Sequence, residues 1–316
     1  MSESRVVALT DLEPTPCVAA IGSFDGVHRG HQHLIARAVE LARTEDSGVL
    51  AITFEPLPPM VLRPDRFSGR LCTSEEKMTA LLAAGADRVV VVPFTRETAA
   101  LSPEAFLAPV VAASGMRVLV VGEDFALGRN RVGDVPRLRE IGAELGFALE
   151  AVERVPVGDE PVSSTLIRQA VMTGQAARAR RLLGRPFRVA GEVIHGKKLG
   201  REIGFPTANV APPPDLAPLA DGIYAAWAWL DGDAAPRPAV TYVGARPTVN
   251  SGPRLVETHL LDFDGDLYGQ TLRSDVLERL RPDETFPSLE AMIAQMQTDE
   301  ARARAVLARE TATAGR

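Results

Sequence analysis

Apolar residues fall along this chain in two different rhythms. Up to about residue 184, short β-branched apolar runs alternate with longer stretches in which apolar positions recur every three or four residues. Residues 17–24, 48–55, 88–94, 117–125 and 147–155 predict strands that are apolar almost throughout, as strands covered on both faces should be. Between them, residues 31–44, 74–85, 103–114 and 135–146 predict helices, giving a parallel sheet layered with helices. Thr73 and Glu76 stand at capping-box spacing, and Ser102 before Pro103 predicts an N-cap with proline in the first turn. After Leu183 the runs FRVAGEVIHG, GIYAAWAWLDG, PAVTYVG, VETHLLDFDG and TLRSDVLERL are separated by Gly, Pro and Asp turns and predict an antiparallel β barrel. Residues 288–309 return to helical spacing and predict a closing helix, while the proline-rich stretch 211–222 reads as a loop.

At 316 residues the chain is long enough for two domains of ~150 residues each, and the change of rhythm divides it into modules 1–184 and 185–316. The expected fold class is an α/β Rossmann-like domain followed by a mainly antiparallel barrel with a C-terminal helix. Hydrophobic residues at 46% and charged residues at 24% describe an ordinary folded chain. A net charge of −6 without a basic block argues against nucleic acid as a partner. No stretch reads as an export signal or a membrane span, and Cys17 and Cys72 are too few for a disulfide framework, so the cytoplasm is the expected compartment. Oligomeric state is left open by the sequence.

The segment IGSFDGVHRGHQHLI, residues 21–35, predicts a strand that ends at Phe24 and a helix that begins near His31, with Gly26 and Gly30 bracketing the turn. A helix start of this kind carries unsatisfied N–H donors and partial positive charge, which suits polyphosphate. His28 and His31 then face the opening and donate to phosphate oxygens, and Gly30 leaves room for a nucleotide to approach the backbone. An isolated pair would read as two solvent-facing histidines, and no acid or cysteine stands at metal-partner spacing. In residues 161–171, Ser163, Ser164 and Thr165 precede a helix that carries Arg168, a second arrangement suited to phosphate. The bland reading of that piece is an N-cap and a surface arginine.

In residues 193–210, Gly196, Gly200 and Gly204 interleave with Lys197, Lys198 and Arg201 and lead into Pro206-Thr207-Ala208-Asn209. Glycines admit phosphate to the backbone, the basic groups offset its charge, and a hydroxyl beside an amide oxygen suits a hard cation. A glycine-rich hairpin with solubilising lysines explains the basic part equally well. Glu257 lies in a strand-like run, where a carboxylate needs a purpose or a partner, and His259 shares its face. Asp262, Asp264 and Asp266 read as a hairpin turn, since the calcium-loop glutamate is missing.

HxGH at the end of the first strand, followed by SSTLIR, resembles the nucleotidylyltransferase superfamily, and PTAN resembles the flavokinase signature. The ordered set IGSFDGVHRGH, TFEP (53–56), EDFALGRNRVGD, SSTLIR, LLGRPFRVAGEV, GFPTAN, VETHLLDF and DLYG resembles the prokaryotic bifunctional riboflavin kinase and FAD synthetase family. The resemblance implies a first module that adenylylates FMN to FAD and a six-stranded barrel that phosphorylates riboflavin, with ATP, riboflavin, FMN and FAD as substrates and products. It implies that His28 and His31 stabilise the transferring phosphate, that Gly22, Ser23, Phe24, Gly30, Ser164, Thr165 and Arg168 hold the triphosphate, and that Phe54, Asp124 and Phe125 line the flavin. In the barrel it implies an ATP cradle of Gly196, Lys198 and Gly204, Mg²⁺ on Thr207 and Asn209, and Glu257 as general base. Leu57 stands where the family has histidine, and Ala126 where arginine is common. Those departures leave two alternatives: a monofunctional riboflavin kinase with an impaired first module, or a non-catalytic flavin-binding regulator.

Overall fold

The computed structural model describes residues 5–196, 200, 203–244 and 255–314. The chain forms two compact units, residues 1–68 with 72–164, and residues 69–71 with 165–316.

The first unit runs β1 (Val6–Val7), β2 (Cys17–Ile21), α1 (Arg29–Thr44), β3 (Gly48–Glu55), α2 (Pro58–Leu62), α3 (Ser74–Ala83), β4 (Arg88–Pro93), α4 (Arg96–Ala100), α5 (Pro103–Ser114), β5 (Met116–Gly122), α6 (Val135–Leu145) and β6 (Ala148–Val152). Its sheet is parallel, in the order β1-β4-β3-β2-β5-β6. Successive side chains on β2 point to opposite faces. Val18 and Ala20 join the layer of Leu34, Ile35 and Ala38 from α1 and Leu81 from α3. Ala19 and Ile21 join Leu107 and Val110 from α5 and Leu138 and Ile141 from α6. The strand order reverses direction between β2 and β5, and the crevice beyond the carboxyl ends at such a reversal is where open α/β sheets hold ligands.

Several predicted boundaries shift, among them the strand ends at 122 and 152 where the sequence predicts 125 and 155, and two of the shifts shape the histidine turn. The strand stops at Ile21, because Phe24 adopts left-handed backbone (φ 48°, ψ 29°), which a strand cannot contain. The helix starts at Arg29, because His28 itself is the N-cap, its Nδ1 accepting from the His31 amide at 3.4 Å. The capping box is present in full: Thr73 N–H donates to Glu76 Oε2 at 2.9 Å and Glu76 N–H to Thr73 Oγ1 at 3.2 Å.

The second unit continues with α7 (Ser164–Met172, its first residue counted with the first unit) and α8 (Ala176–Leu183), then β7 (Phe187–Ile194), β8 (Ala208–Val210), β9 (Gly222–Leu230), β10 (Arg237–Gly244), β11 (Leu255–Leu260), β12 (Thr271–Arg281) and α9 (Leu289–Ala314). The six strands close antiparallel in the order β10-β11-β8-β7-β12-β9. The barrel interior is filled with side chains: Ala208, Val210, Ala228, Ala239, Leu260 and Leu272 pack there. On the same faces of their strands, the buried hydroxyls of Thr241, Thr258 and Ser274 form a chain at 3.2 and 3.0 Å. The opposite faces of β9, β10 and β12 pack Ala225, Val240 and Leu277 with Ala303, Val306 and Leu307 of α9. Cys17 and Cys72 are both buried, and the Cys17 thiol donates to the Ser114 carbonyl at 3.5 Å.

Replacing Thr73 by alanine removes the side-chain half of the capping box and should cost about 1 kcal/mol. Denaturant unfolding followed by circular dichroism checks this, and Thr73→Ser should restore most of the loss.

Candidate functional site

After β2 the chain makes a tight turn in which Phe24 (φ 48°), Gly26 (φ 77°) and Val27 (φ 42°) are all left-handed. For a β-branched residue that conformation costs on the order of 1–3 kcal/mol, so the surroundings must impose it. Three groups do. Thr53 Oγ1 donates to the Ser23 carbonyl at 3.2 Å, and Gln32 Nε2 donates to the Val27 carbonyl at 2.8 Å. Lys77 Nζ reaches the Phe54 carbonyl at 2.8 Å and the Ser23 carbonyl at 3.5 Å, and pairs with Glu55 Oε1 at 2.7 Å.

The turn delivers the two histidines as a stacked pair, ring centroids 3.6 Å apart, with the Phe24 ring edge-on to His31 at 5.2 Å. His28 is buried at 6% exposure, and because its Nδ1 accepts from the helix start, the ring proton is on Nε2. His31 Nδ1 is buried without a hydrogen-bond partner among the described residues. Burial, the neighbouring His28 and the Lys77 charge together hold the His31 imidazole well below the ordinary histidine range, so it is neutral at pH 7. A Cβ on Gly30 would sit 3.3 Å from the His28 ring, so the missing side chain also seats the imidazole. Gly22 likewise faces the Phe24 ring at 3.3 Å.

Ser164 Oγ donates to the Asp25 carbonyl at 3.1 Å, tying the SST segment to the histidine turn. Thr165 and Arg168 belong to the second unit, where Arg168 Nε donates to the Gly69 carbonyl at 2.6 Å. Phe54 is a core ring at 8% exposure, edge-on to Phe94 at 5.6 Å and tilted against Phe106 at 5.9 Å, and Leu57, three residues on in sequence, is buried at 1%. Phe125 is half-buried on the same core, and exposed Asp124 pairs with Arg154.

In the second unit the register supplies the geometry. Glu257 on β11 lies directly opposite Asn209 on β8 and Tyr242 on β10, so three polar side chains share one row on the outer face of the barrel. Thr207 shares that face two residues before Asn209, and its hydroxyl donates to Glu257 Oε2 at 3.3 Å. His259 Nδ1–H donates to the Pro206 carbonyl at 2.7 Å and so anchors the PTAN segment. Gly196 lies against the Asn209 side chain, which a Cβ would strike, and Gly204 (φ 87°) faces open space. Lys198 lies outside the described residues, as do Lys197 and Arg201. The Tyr242 hydroxyl donates to Asp283 Oδ2 at 3.1 Å, and burial, with the charges of Asp283 and Glu257, pushes its pKa up to about 12. It is a neutral phenol beside the carboxylate.

Sequence reading did not single out Lys77, Glu55 or Tyr242. Lys77 was detectable as a charge four residues before Leu81 on the apolar side of its helix, and Glu55 as the lone acid closing an apolar strand.

Residues 10–166 match the FAD synthetase family and residues 183–307 the riboflavin kinase family. A bifunctional riboflavin kinase/FMN adenylyltransferase from Pseudomonas fluorescens is 41% identical over 92% of this chain and 93% of its own length. Its counterpart from Escherichia coli K12 is 38% identical over 91% and 92%. This chain belongs to that family. A crystal structure from Streptococcus pneumoniae, described as a macrolide-efflux protein, superposes with a TM-score of 0.87 at 28% identity over 95% of this chain and 99% of that one. Among the described residues here, no helix is long and apolar enough to cross a membrane.

Because the folded state depresses the His31 pKa, the unfolded chain takes up the proton first as pH falls. The stability tied to this imidazole is complete above about 6.5 and drains away below it, with a slope of at most ~1.4 kcal/mol per pH unit. Between pH 7 and 5, His31→Gln should therefore lose stability less steeply than the parent in denaturant titrations.

Proposed function

We propose that the two reactions of this family are divided between the two units, each through its own polar cluster. The chain is an enzyme of flavin cofactor synthesis: it phosphorylates riboflavin to FMN and adenylylates FMN to FAD, with ATP as donor in both. The observation that carries the division is the hydrogen bond from Thr207 to Glu257 in the barrel, set beside the stacked His28–His31 pair at the carboxyl edge of the sheet.

In the first unit, an oxygen of the FMN phosphate attacks the α-phosphorus of ATP and pyrophosphate departs. The nucleophile is already an anion, so the protein's task is positioning and neutralising charge. His28 Nε2 and the His31 ring meet the oxygens of the α-phosphate, and the start of α1 adds its dipole. Ser23, Phe24, Gly22 and Ser164 shape the phosphate approach, with Asp124 and Phe125 at the neighbouring edge after β5 as flavin contacts.

In the second unit, the riboflavin 5′-hydroxyl attacks the γ-phosphorus, its proton passes to the Glu257 carboxylate, and ADP departs. Thr207 supplies a hydroxyl, Asn209 an amide oxygen and Glu257 a carboxylate. These are hard oxygen donors that fit Mg²⁺, and Thr207 and Asn209 would hold it. When bound, the cation neutralises charge on the ATP phosphates. Gly204 lets the phosphates come close to the backbone, and Gly196 leaves room for the Asn209 amide. The fitting compartment is the cytoplasm.

Chromatographic separation of flavins tests the division. His31→Ala should cut FAD formation from FMN by about 10²–10⁴-fold and leave FMN formation within twofold of the parent, while Glu257→Gln should do the opposite on the same scale. Equal loss of both products in either variant would refute two separate sites. Gly196→Ala displaces the Asn209 amide and should lower kinase kcat/KM for ATP by roughly tenfold or more; FAD formation from supplied FMN should not change.

A further inference from the structure

Lys77, the one lysine among the described residues, is 1% exposed at its side chain. A buried ammonium is costly unless its protons are all used. Three of its acceptors are unusual in their placement: the Glu55 carboxylate, the Phe54 carbonyl and, at the longer distance of 3.5 Å, the Ser23 carbonyl. Two of these close β3. The third lies just past the end of the adjacent strand β2, immediately before left-handed Phe24, whose ring is edge-on to His31. One ammonium thus joins the carboxyl ends of two neighbouring strands at the point where the chain turns toward the histidines. The helix that delivers it is itself fixed by the capping box one residue earlier.

We propose that Lys77, paired with Glu55, is a positioning residue for adenylyl transfer: it locks the Ser23 carbonyl and thereby the Phe24–His28 turn, and so sets where the stacked imidazoles stand. The inference rests on the adenylyltransferase reading of that turn. It gives the clamp two effects. It fixes the imidazoles against the α-phosphate, where misplacement by about 1 Å is worth about 10²-fold in rate. It also presents a fixed positive charge to His31. The titratable and charged groups bearing on His31 are His28 from its own turn, Lys77 from α3, and Glu55 from β3 through its pairing with Lys77.

The test is the paired substitution Glu55→Gln/Lys77→Met, which removes both charges and keeps comparable volume, so neither partner is left as an uncompensated buried ion. The single variant Lys77→Met serves as the harsher comparison. Kinase activity of the same preparation reports the folded barrel, and its circular dichroism spectrum, matched to the parent's, reports the folded first unit. With kinase activity retained, the double variant should form FAD with kcat lowered about 10²-fold and KM for ATP within threefold of the parent. The acidic limb of its rate–pH profile should also move to higher pH. A folded, kinase-competent double variant that forms FAD with kcat within threefold of the parent, on an unmoved acidic limb, overturns the positioning role. Absence of FAD formation by the parent enzyme would instead overturn the reading on which it rests, so the two failures are distinguishable.

Discussion

A main chain held left-handed at Phe24 and Val27, neither of them glycine, is the constraint on which the first unit depends. Left alone, these residues would relax toward extended or right-handed backbone, and the two histidines would part. The turn persists because its carbonyls are claimed from three directions, by a threonine on β3, by a glutamine on α1 and by a lysine on α3. Each donor sits on an element whose own placement is settled by apolar packing against the sheet. Strain at the site is therefore underwritten by the hydrophobic layers on either side, and the strand reversal between β2 and β5 puts it where a crevice opens.

The barrel reaches a comparable degree of order by other means. Asn209, Glu257 and Tyr242 stand in line because antiparallel register makes them direct neighbours, with no unusual backbone angle required at any of the three. The cost falls on small residues nearby: Gly196 has no side chain because the Asn209 amide occupies that volume, and Gly244 yields in the same way to the Tyr242 hydroxyl. The polar cluster of the first unit thus stands on strain and that of the barrel on pairing.

How much of this was legible follows from which interactions are local. Continuous apolar runs marked β3 to the residue, and α5 and the start of α3 were marked by caps whose chemistry spans only three residues. The histidine motif and PTAN were visible as spacing. What sequence could not supply were consequences of distance. That Phe24 would be left-handed depends on donors about thirty and fifty residues away. The purpose of Gly30 depends on the rotamer of His28, and the purpose of Gly196 on a strand it does not adjoin in sequence. Phe54 looked like a wall for a flat ring because aromatic type alone does not distinguish a lining residue from a core residue; its packing on Phe94 and Phe106 does. The two-residue strand β1 carries too short a pattern to be recognised at all.

The filled interior of the barrel has an evolutionary corollary. With apolar side chains and a line of hydroxyls from Thr241 through Thr258 to Ser274 occupying its centre, the cylinder is a solid pedestal and not a cup. Every chemically useful group must then sit on the outer wall or on the turns that join the staves. New substrate preferences can arise there by exchanging rim segments, while the pedestal, untouched, goes on folding the same way.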